Sequence, residues 1–295
     1  MLLTPIRIIK NDIFGALYDE EYRIILESLR YSTQFIHRDH CYLSKKEVSK
    51  IENLPKDTFY LGHAFDYKHY GHFLLETLPM LNHFICSQNT NGIFLPWCPR
   101  KETIVLKKFM DILGINSNRL IIWRKNKIAS NISGYIPRPI KISKTILEKK
   151  PYQNVLSKIS SLISEDISNS VDKVFLSREP NRISKDKKES VESIFRSYGF
   201  SIIKPEKLSI TNQIKLIKSA KVIAGFKGSQ LHNSIFCKEG SIVISIGDEK
   251  NPNAPNTNQK MCDSLVGANS LFVPHIESEE ETLDHLTDIF RKNNI

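Results

Sequence analysis

The ten residues KVIAGFKGSQ, at positions 221–230, run from a short apolar segment into a turn that contains two glycines. The apolar run 221–224 is typical of a buried strand. Gly225 and Gly228 permit a tight turn and a close approach of the backbone to a ligand, which a Cβ would obstruct. Ser229 is a candidate N-cap for a helix that begins at Gln230. This order favours a phosphate site at a helix N-terminus, although two glycines alone are equally typical of a plain turn.

Strands and helices alternate on both sides of this stretch. Segments 174–177, 200–203 and 242–246 are strand-like, whereas 184–198 and 210–220 carry apolar residues at helical spacing. The alternation predicts a parallel sheet covered by helices, with ligands bound at the carboxyl ends of its strands.

A less regular alternation between residues 58 and 123 predicts a second α/β unit. We therefore expect an α/β fold in which two Rossmann-like domains face each other across a cleft. The predicted division is an N-terminal domain at 1–145, a connection rich in Lys and Ser at 146–172, a C-terminal domain at 173–275 and a closing helix at 276–295.

The composition is that of a globular protein, with 40% hydrophobic and 25% charged residues among 295. Pro5, Arg7 and Lys10 interrupt the apolar N-terminus, so no signal-peptide core is expected. Five scattered cysteines without a C-x-x-C motif fit a reducing compartment, and we expect the protein in the cytoplasm.

The formal charge of +10 favours anionic partners. Nucleotide diphosphates are one such class, and peripheral contact with an anionic inner-membrane face is another expectation. The basic residues are dispersed, without an arginine-rich tail or interleaved aromatic residues, so nucleic acid is not an expected partner.

Two groups of residues carry a resemblance to a known family. The first is the stretch YGHFLLETLP at 70–79. The second begins with FLSR at 175–178 and continues through Arg182, Pro205, Glu206, Leu208, Gln213, the glycine turn, Leu231, Asn233 and Phe236. In this order, over residues 70–246, the chain resembles the glycosyltransferase 61 family.

The resemblance implies an inverting glycosyltransferase with a GT-B-like fold, and we expect it to be metal-independent and to need no cofactor. It implies a nucleotide-sugar donor, bound by the C-terminal domain, and a glycan or lipid-linked glycan acceptor, bound by the N-terminal domain. Bacterial members commonly serve the synthesis of capsule or other surface polysaccharide. The chain departs from the family pattern at Lys185-Asp186, where Asn-Glu is usual, and at Lys227, where His is usual.

His72 and Glu76 are the candidate catalytic residues. Their i, i+4 spacing places them on one face of a helix. An inverting transfer needs a base that takes the proton of the acceptor hydroxyl, and imidazole suits this task. Glu76 could orient the imidazole or could itself be the base, and a solvated pair without function is the structural alternative.

The candidate donor-binding residues lie in the second domain. Arg178 and Arg182 can pair with a diphosphate, and Lys227 can contact the same charge. Glu206 can accept hydrogen bonds from ribose or sugar hydroxyls, or can simply stabilise a helix N-terminus. The remaining candidates belong to the glycine turn and the helix after it: Gly225, Gly228, Ser229 and Asn233.

No metal site is expected. His63, His69 and His72 lie close in sequence but lack an evident further ligand, and the chain contains no Asp-x-Asp motif. Positive side chains would then neutralise the leaving diphosphate. The competing hypotheses are a non-catalytic nucleotide- or glycan-binding module and, third, nucleic-acid binding driven by the net charge.

Overall fold

A computed structural model provides the fold, as two compact units, Met1–Ile159 and Ser160–Ile295. The structure describes residues 2–3, 7–9, 12–14, 17–21, 23–25, 51–65, 69–96, 103–124, 128–132, 141–142, 145–146, 148–164, 171–177, 184–248, 252–275, 279–293 and 295. Both units combine helices with parallel strands, which confirms the predicted α/β class.

The first unit is built on a six-stranded sheet with the strand order β4-β1-β8-β5-β6-β7. Strands β8, β5, β6 and β7 pair in parallel, whereas β1 pairs antiparallel with both β4 and β8. The strands in chain order are β1 (Leu2–Leu3), β2 (Arg7–Ile9), β3 (Asp12–Phe14), β4 (Leu17–Tyr18), β5 (Ile51–Ala64), β6 (Asn91–Pro96), β7 (Leu120–Ile122), β8 (Ile128–Ile132), β9 (Lys141–Ile142) and β10 (Thr145–Ile146).

The sequence predicts helices from about Tyr70 to Phe84 and from Ile104 to Leu113, and the structure has helical segments at both positions. The helix predicted at 104–113 is confirmed, and Gly114 ends it in the left-handed conformation with φ 66°. Helix α4 (Lys150–Leu162) falls inside the predicted connection 146–172, where no helix was predicted. The helices are α1 (Tyr70–His72), a π-helical turn (Phe73–Thr77), a 3-10 turn (Leu78–Leu81), α2 (Asn82–Cys86), α3 (Ile104–Leu113), a 3-10 turn (Ser117–Arg119) and α4 (Lys150–Leu162).

Arg119 fastens the end of α2 to the start of β6. Its guanidinium donates to the carbonyl of Thr90 at 2.9 Å, to that of Phe84 at 3.5 Å and to that of Ser87. The same group lies over the Phe84 ring, 5.0 Å from its centroid. The carbonyls at this helix end are therefore satisfied by one planar side chain that offers several donors.

The second unit contains a five-stranded, fully parallel sheet with the order β12-β11-β13-β14-β15. The parallel sheet predicted from the alternation is confirmed. The edge strand β15 and the helix before it were not predicted. The strands are β11 (Lys173–Leu176), β12 (Ser201–Ile203), β13 (Val222–Phe226), β14 (Ile242–Ile246) and β15 (Asn269–Val273).

Helices cover this sheet and close one continuous apolar core. Phe175, Phe195, Phe226 and Phe290 pack in it with edge-to-face and tilted ring contacts. The helices are α5 (Lys185–Ser197), a 3-10 turn (Pro205–Lys207), α6 (Ile210–Ser219), a 3-10 helix (Leu231–Phe236), α7 (Thr257–Val266) and α8 (Glu279–Lys292).

The prediction for the glycine turn is wrong in two respects. Gly225 lies inside β13, and a Cβ there would come within 2.9 Å of the Leu176 carbonyl oxygen of the neighbouring strand. The requirement for glycine at this position thus comes from packing within the sheet. The helix predicted at 230–237 is a six-residue 3-10 helix whose N-cap is Gln230, and no side chain caps it, Ser229 included.

Tyr60 offers a test of the core of the first unit. Its side chain is 2% exposed, and its hydroxyl has no hydrogen-bond partner within the described part of the chain. Because the buried hydroxyl loses its hydration without compensation, Tyr60→Phe should raise the free energy of unfolding by about 1 kcal/mol. Urea titration at pH 7 measures this change.

Tyr198→Phe is the matched control, since the Tyr198 hydroxyl contacts Thr287 Oγ1 at 3.2 Å. This variant should lower the free energy of unfolding by about 0.5–1.5 kcal/mol. Equal destabilisation by both substitutions would show that the Tyr60 hydroxyl also has a partner.

Candidate functional site

The helical segment 70–86 carries the candidate catalytic pair and changes its winding along its length. The sequence predicts one helix from about Tyr70 to Phe84, interrupted by Pro79. The structure resolves this interruption into the succession α1, π-helical turn, 3-10 turn and α2. The amide of Leu78 donates to the Phe73 carbonyl, five residues back, as a π-helical turn requires.

Pro79 explains why the winding changes. In a regular α-helix the Leu75 carbonyl would accept a hydrogen bond from the amide of residue 79, and proline has no amide hydrogen. The hydroxyl of Tyr152, on α4, donates to the Leu75 carbonyl. Tyr152 is 1% exposed, so this hydrogen bond is shielded from water.

Thr77 joins the same turn to the carboxyl end of β5. Its hydroxyl donates to the His63 carbonyl at 2.9 Å and accepts from the Phe65 amide at 3.1 Å. Thr77 is fully buried. The π-helical turn is thus held on one side by the sheet and on the other by α4.

His72 and Glu76 contact each other across this turn. The imidazole Nδ1–H donates to Glu76 Oε1 at 2.6 Å, and the i, i+4 spacing predicted this contact. The His72 side chain is 37% exposed and that of Glu76 is 14% exposed. Since the carboxylate binds Nδ1–H, the lone pair of the neutral ring lies on Nε2.

Aromatic side chains surround the imidazole of His72. Phe65 stacks on it at 5.4 Å between ring centroids, and the His69 ring lies 6.4 Å away. His63 is buried on β5. Within the described ranges, no three His, Cys, Asp or Glu side chains are grouped so that they could hold a metal ion.

Four of the candidate donor-binding residues, Glu206, Lys227, Gly228 and Ser229, follow strands at the carboxyl edge of the second sheet. Because all five strands are parallel, the residues after each strand emerge at this edge. Glu206 is exposed on the 3-10 turn after β12, and Lys227, Gly228 and Ser229 follow β13 directly. The predicted residues Arg178 and Arg182 lie outside the described residues.

The glycine turn is closed by hydrogen bonds of its own. The Lys227 amide donates to the Ile246 carbonyl at 2.8 Å, and the Leu231 amide donates to the Gly228 carbonyl at 3.2 Å. The side-chain amide of Gln230 donates to the Phe226 carbonyl at 2.9 Å. Ser229 is the exposed tip of this turn.

Lys227 is buried and its ammonium donates to the Ala254 carbonyl at 2.9 Å. The segment that contains Ala254 also accepts the His275 amide at the Pro252 carbonyl, at 2.9 Å. A Cβ at Gly247 would come within 2.4 Å of the same Pro252 oxygen. Lys227 therefore helps to hold residues 252–254 against the strand ends.

Asn233 belongs to a buried network. Its Nδ2 donates to Gln213 Oε1 at 3.1 Å, and Gln213 Nε2 donates to the carbonyls of Pro205 and Leu208 at 2.8 and 3.1 Å. Asn233 is 2% exposed. The network ties the 3-10 helix Leu231–Phe236 to the turn after β12.

Ser177, the last described residue before Arg178, is also held in place. Its hydroxyl donates to Glu192 Oε1 on α5. Glu192 is flanked by Lys188 Nζ at 3.6 Å and by an Arg196 nitrogen at 3.5 Å. The carboxyl end of β11 is thus anchored to α5 by a buried carboxylate with two cationic neighbours.

A second buried carboxylate, Asp263 on α7, lies beside the 3-10 helix. Asp263 accepts from Ser234 Oγ at 2.6 Å, from Gln259 Nε2 at 2.8 Å and from Ser270 Oγ at 2.6 Å. Burial raises the pKa of Asp263, although these three hydrogen bonds act in the opposite direction.

The match to a known family covers both groups of candidate residues. A family model described as glycosyltransferase 61 matches residues 70–244, more than half of the chain. The chain belongs to the glycosyltransferase 61 family. A comparison with curated proteins gives no match.

Membership of the glycosyltransferase 61 family supports a glycosyltransferase activity, which requires a sugar donor and an acceptor. The matched range includes His72 and Glu76 at its start and Asn233 near its end. No helix in the described ranges is long and apolar enough to cross a membrane.

Some residues that shape the site of this glycosyltransferase 61 chain are absent from the sequence predictions. Tyr152 falls in the predicted connection, and Asp263 precedes the strand β15 that was missed. Pro79 is the one available signal, because a proline within a helix deprives the carbonyl four residues earlier of its donor. The sequence pattern does not indicate which side chain replaces that donor.

Asp263→Asn tests the cost of the buried carboxylate. The wild-type protein should gain stability relative to the variant as the pH falls from neutral towards 3.8, the ordinary pKa of an aspartate, because the folded state takes up the proton first. Urea titrations at several pH values measure the difference in unfolding free energy.

Asp288→Asn is the control. The Lys292 ammonium lowers the pKa of Asp288. The unfolding free energies of the wild-type protein and of Asp288→Asn should therefore differ by a constant amount above pH 3.8 and converge only below it. A difference for Asp263→Asn that stays constant down to pH 3.8 would contradict the raised pKa.

Proposed function

We propose that the protein is an inverting glycosyltransferase that moves a sugar from a nucleotide sugar to a glycan or lipid-linked glycan acceptor. The observation that carries this proposal is the contact between His72 Nδ1 and Glu76 Oε1 within the segment matched by the family. A shielded carboxylate that binds one nitrogen of a more exposed imidazole is the arrangement of a general base with its orienting partner.

The reaction requires one proton transfer and one displacement. The acceptor hydroxyl oxygen attacks the anomeric carbon and forms the new glycosidic bond, while the bond from that carbon to the nucleotide diphosphate breaks. His72 Nε2 takes the hydroxyl proton, and Glu76 stabilises the imidazolium that results. Attack from the face opposite the leaving group inverts the configuration at the anomeric carbon.

Side-chain charge is proposed to neutralise the leaving diphosphate. Arg178 and Arg182 can bind phosphate oxygens bidentately, and Lys227 can add a further positive charge. The glycine turn leads into a 3-10 helix of only six residues, so a helix dipole contributes little here. Glu206, Gly225, Gly228, Ser229 and Asn233 complete the proposed donor-binding set.

The broader setting is part of the same proposal. We place the protein in the cytoplasm, where nucleotide sugars are made, with a role in capsular or other surface polysaccharide synthesis and peripheral contact with the inner membrane. A GT-B-like fold, as the family resemblance implies, is part of this proposal. The family match and the +10 charge support this setting.

The first test is donor turnover by the purified protein. The protein is incubated with UDP-glucose, UDP-galactose, UDP-N-acetylglucosamine and GDP-mannose. One of them should slowly release its nucleoside diphosphate, because active transferases commonly hydrolyse their donor slowly when water takes the place of the acceptor. Thermal protection by each donor is measured in parallel. Protection without any release or transfer would favour the non-catalytic nucleotide- or glycan-binding module.

The second test separates the proposed base from the proposed donor contact. His72→Ala should lower turnover by about 10²–10⁴ while donor affinity stays nearly unchanged, since a base acts on the acceptor proton. Arg178→Ala should weaken donor binding by roughly ten- to a hundredfold, because a charged hydrogen bond to phosphate is lost. Calorimetry and a product assay measure the two effects.

His285→Ala is the control for His72→Ala, because it removes an exposed histidine on the last helix, outside the proposed site. It should change neither donor affinity nor turnover. Full activity of His72→Ala would assign the base to Glu76 or to another residue, and an equal loss of donor binding in both site variants would give His72 a role in binding or folding.

The third test concerns metal. Turnover should survive EDTA, because Arg178, Arg182 and Lys227 supply the positive charge that a metal ion would otherwise bring to the diphosphate. Initial rates are compared in EDTA, in Mg²⁺ and in Mn²⁺. Loss of activity in EDTA that Mn²⁺ restores would replace this reading with a metal-dependent one.

A further inference from the structure

We propose that Tyr152 is a positioning residue that keeps the His72–Glu76 pair in its reactive geometry. This inference rests on the proposed function, since it assigns Tyr152 a role in the same reaction. Tyr152 acts through the backbone of Leu75, whose carbonyl accepts a hydrogen bond from the Tyr152 hydroxyl.

The first argument is the chemistry of the Leu75 carbonyl. Leu75 lies between His72 and Glu76, and its side chain is fully buried. The α-helical donor for its carbonyl would be the amide of residue 79, which is proline. The hydroxyl of Tyr152 takes the place of that amide. A change at Tyr152 therefore alters the hydrogen bonding of the Leu75 peptide unit, which lies within the π-helical turn Phe73–Thr77.

The second argument is the π-helical turn itself. The wide turn Phe73–Thr77 is an uncommon winding whose short length gives it little stability of its own. Tyr152 holds it from α4, and Asn154 on the same helix donates to Asn82 Oδ1 at 3.0 Å. The two contacts fix the helical segment at both sides of Pro79.

The third argument is the sensitivity of catalysis to geometry. The His72–Glu76 contact measures 2.6 Å and depends on the path of the three residues between these two positions. A displacement of about 1 Å at a reacting group can cost roughly a hundredfold in rate. Removing the hydrogen bond to Leu75 should shift this path without removing any group that contacts a substrate.

The experiment compares Tyr152→Phe with Tyr60→Phe. Both variants remove a hydroxyl from a buried tyrosine of the first unit, and only the Tyr152 hydroxyl has a partner among the described residues. The donor is whichever of UDP-glucose, UDP-galactose, UDP-N-acetylglucosamine and GDP-mannose gives turnover. Tyr152→Phe should lower kcat by about tenfold or more, short of the full loss of the base, with donor KM unchanged within about twofold. Tyr60→Phe should keep both constants.

A second measurement needs no substrate. In protein labelled with ¹⁵N-histidine, the His72 ring signals are assigned by their absence in His72→Ala. Tyr152→Phe should shift these signals, because the contact with Glu76 changes, and Tyr60→Phe should leave them in place. Circular dichroism and thermal unfolding confirm that both variants are folded at the temperature of the assay.

The outcomes separate the two proposals. An unchanged His72 spectrum in folded Tyr152→Phe, or an equal loss of kcat in Tyr60→Phe, overturns the positioning role. A rise in donor KM with unchanged kcat also overturns it. Retained turnover in His72→Ala overturns the assignment of His72 as the base, and donor protection without any release or transfer overturns the proposed function. In both cases the His72 spectrum still decides whether Tyr152 sets the geometry of the pair.

Discussion

The parallel pairing of β13 with β11 on one side and β14 on the other organises the second unit. Gly225 is part of that pairing, because the Leu176 carbonyl oxygen occupies the space that a side chain would need. Parallel strands deliver their carboxyl ends to one edge, so segments that are far apart in sequence meet there. The contacts of Lys227 with Ala254 and of Gln213 with Asn233 then shape that edge in detail.

The first unit depends on a different constraint, the missing amide hydrogen of Pro79. It prevents a regular α-helix through residues 70–86, and this segment instead contains a π-helical turn followed by a 3-10 turn. The turn is stabilised by Thr77 from the side of β5 and by Tyr152 from α4. Within this segment the Glu76 side chain is 14% exposed and that of His72 is 37% exposed, so the two groups of the pair have different surroundings.

Sequence patterns predict what local physics determines. The strand at 242–246, the helix at 104–113 with its glycine stop and the contact between His72 and Glu76 all follow from spacing and from backbone preference. The patterns fail where packing decides. The sequence pattern predicts a turn at Gly225, whereas the need for glycine there comes from the neighbouring strand. The segment after the turn forms a 3-10 helix of six residues in place of the predicted capped helix. The hydrogen bond of Tyr152 joins residues 77 positions apart, and no local pattern specifies such a pair.

Two long-range contacts hold the segment that carries His72, and both come from residues much later in the chain. Arg119 binds carbonyls that precede it by 29 to 35 positions, and Tyr152 follows Leu75 by 77. Helices of three and five residues, as α1 and α2 are, do not persist alone in water. During synthesis on the ribosome, therefore, the segment with His72 has only its contacts with β5 until Tyr152 has left the exit tunnel, and a pause in translation before that point leaves the turn without its contact to α4.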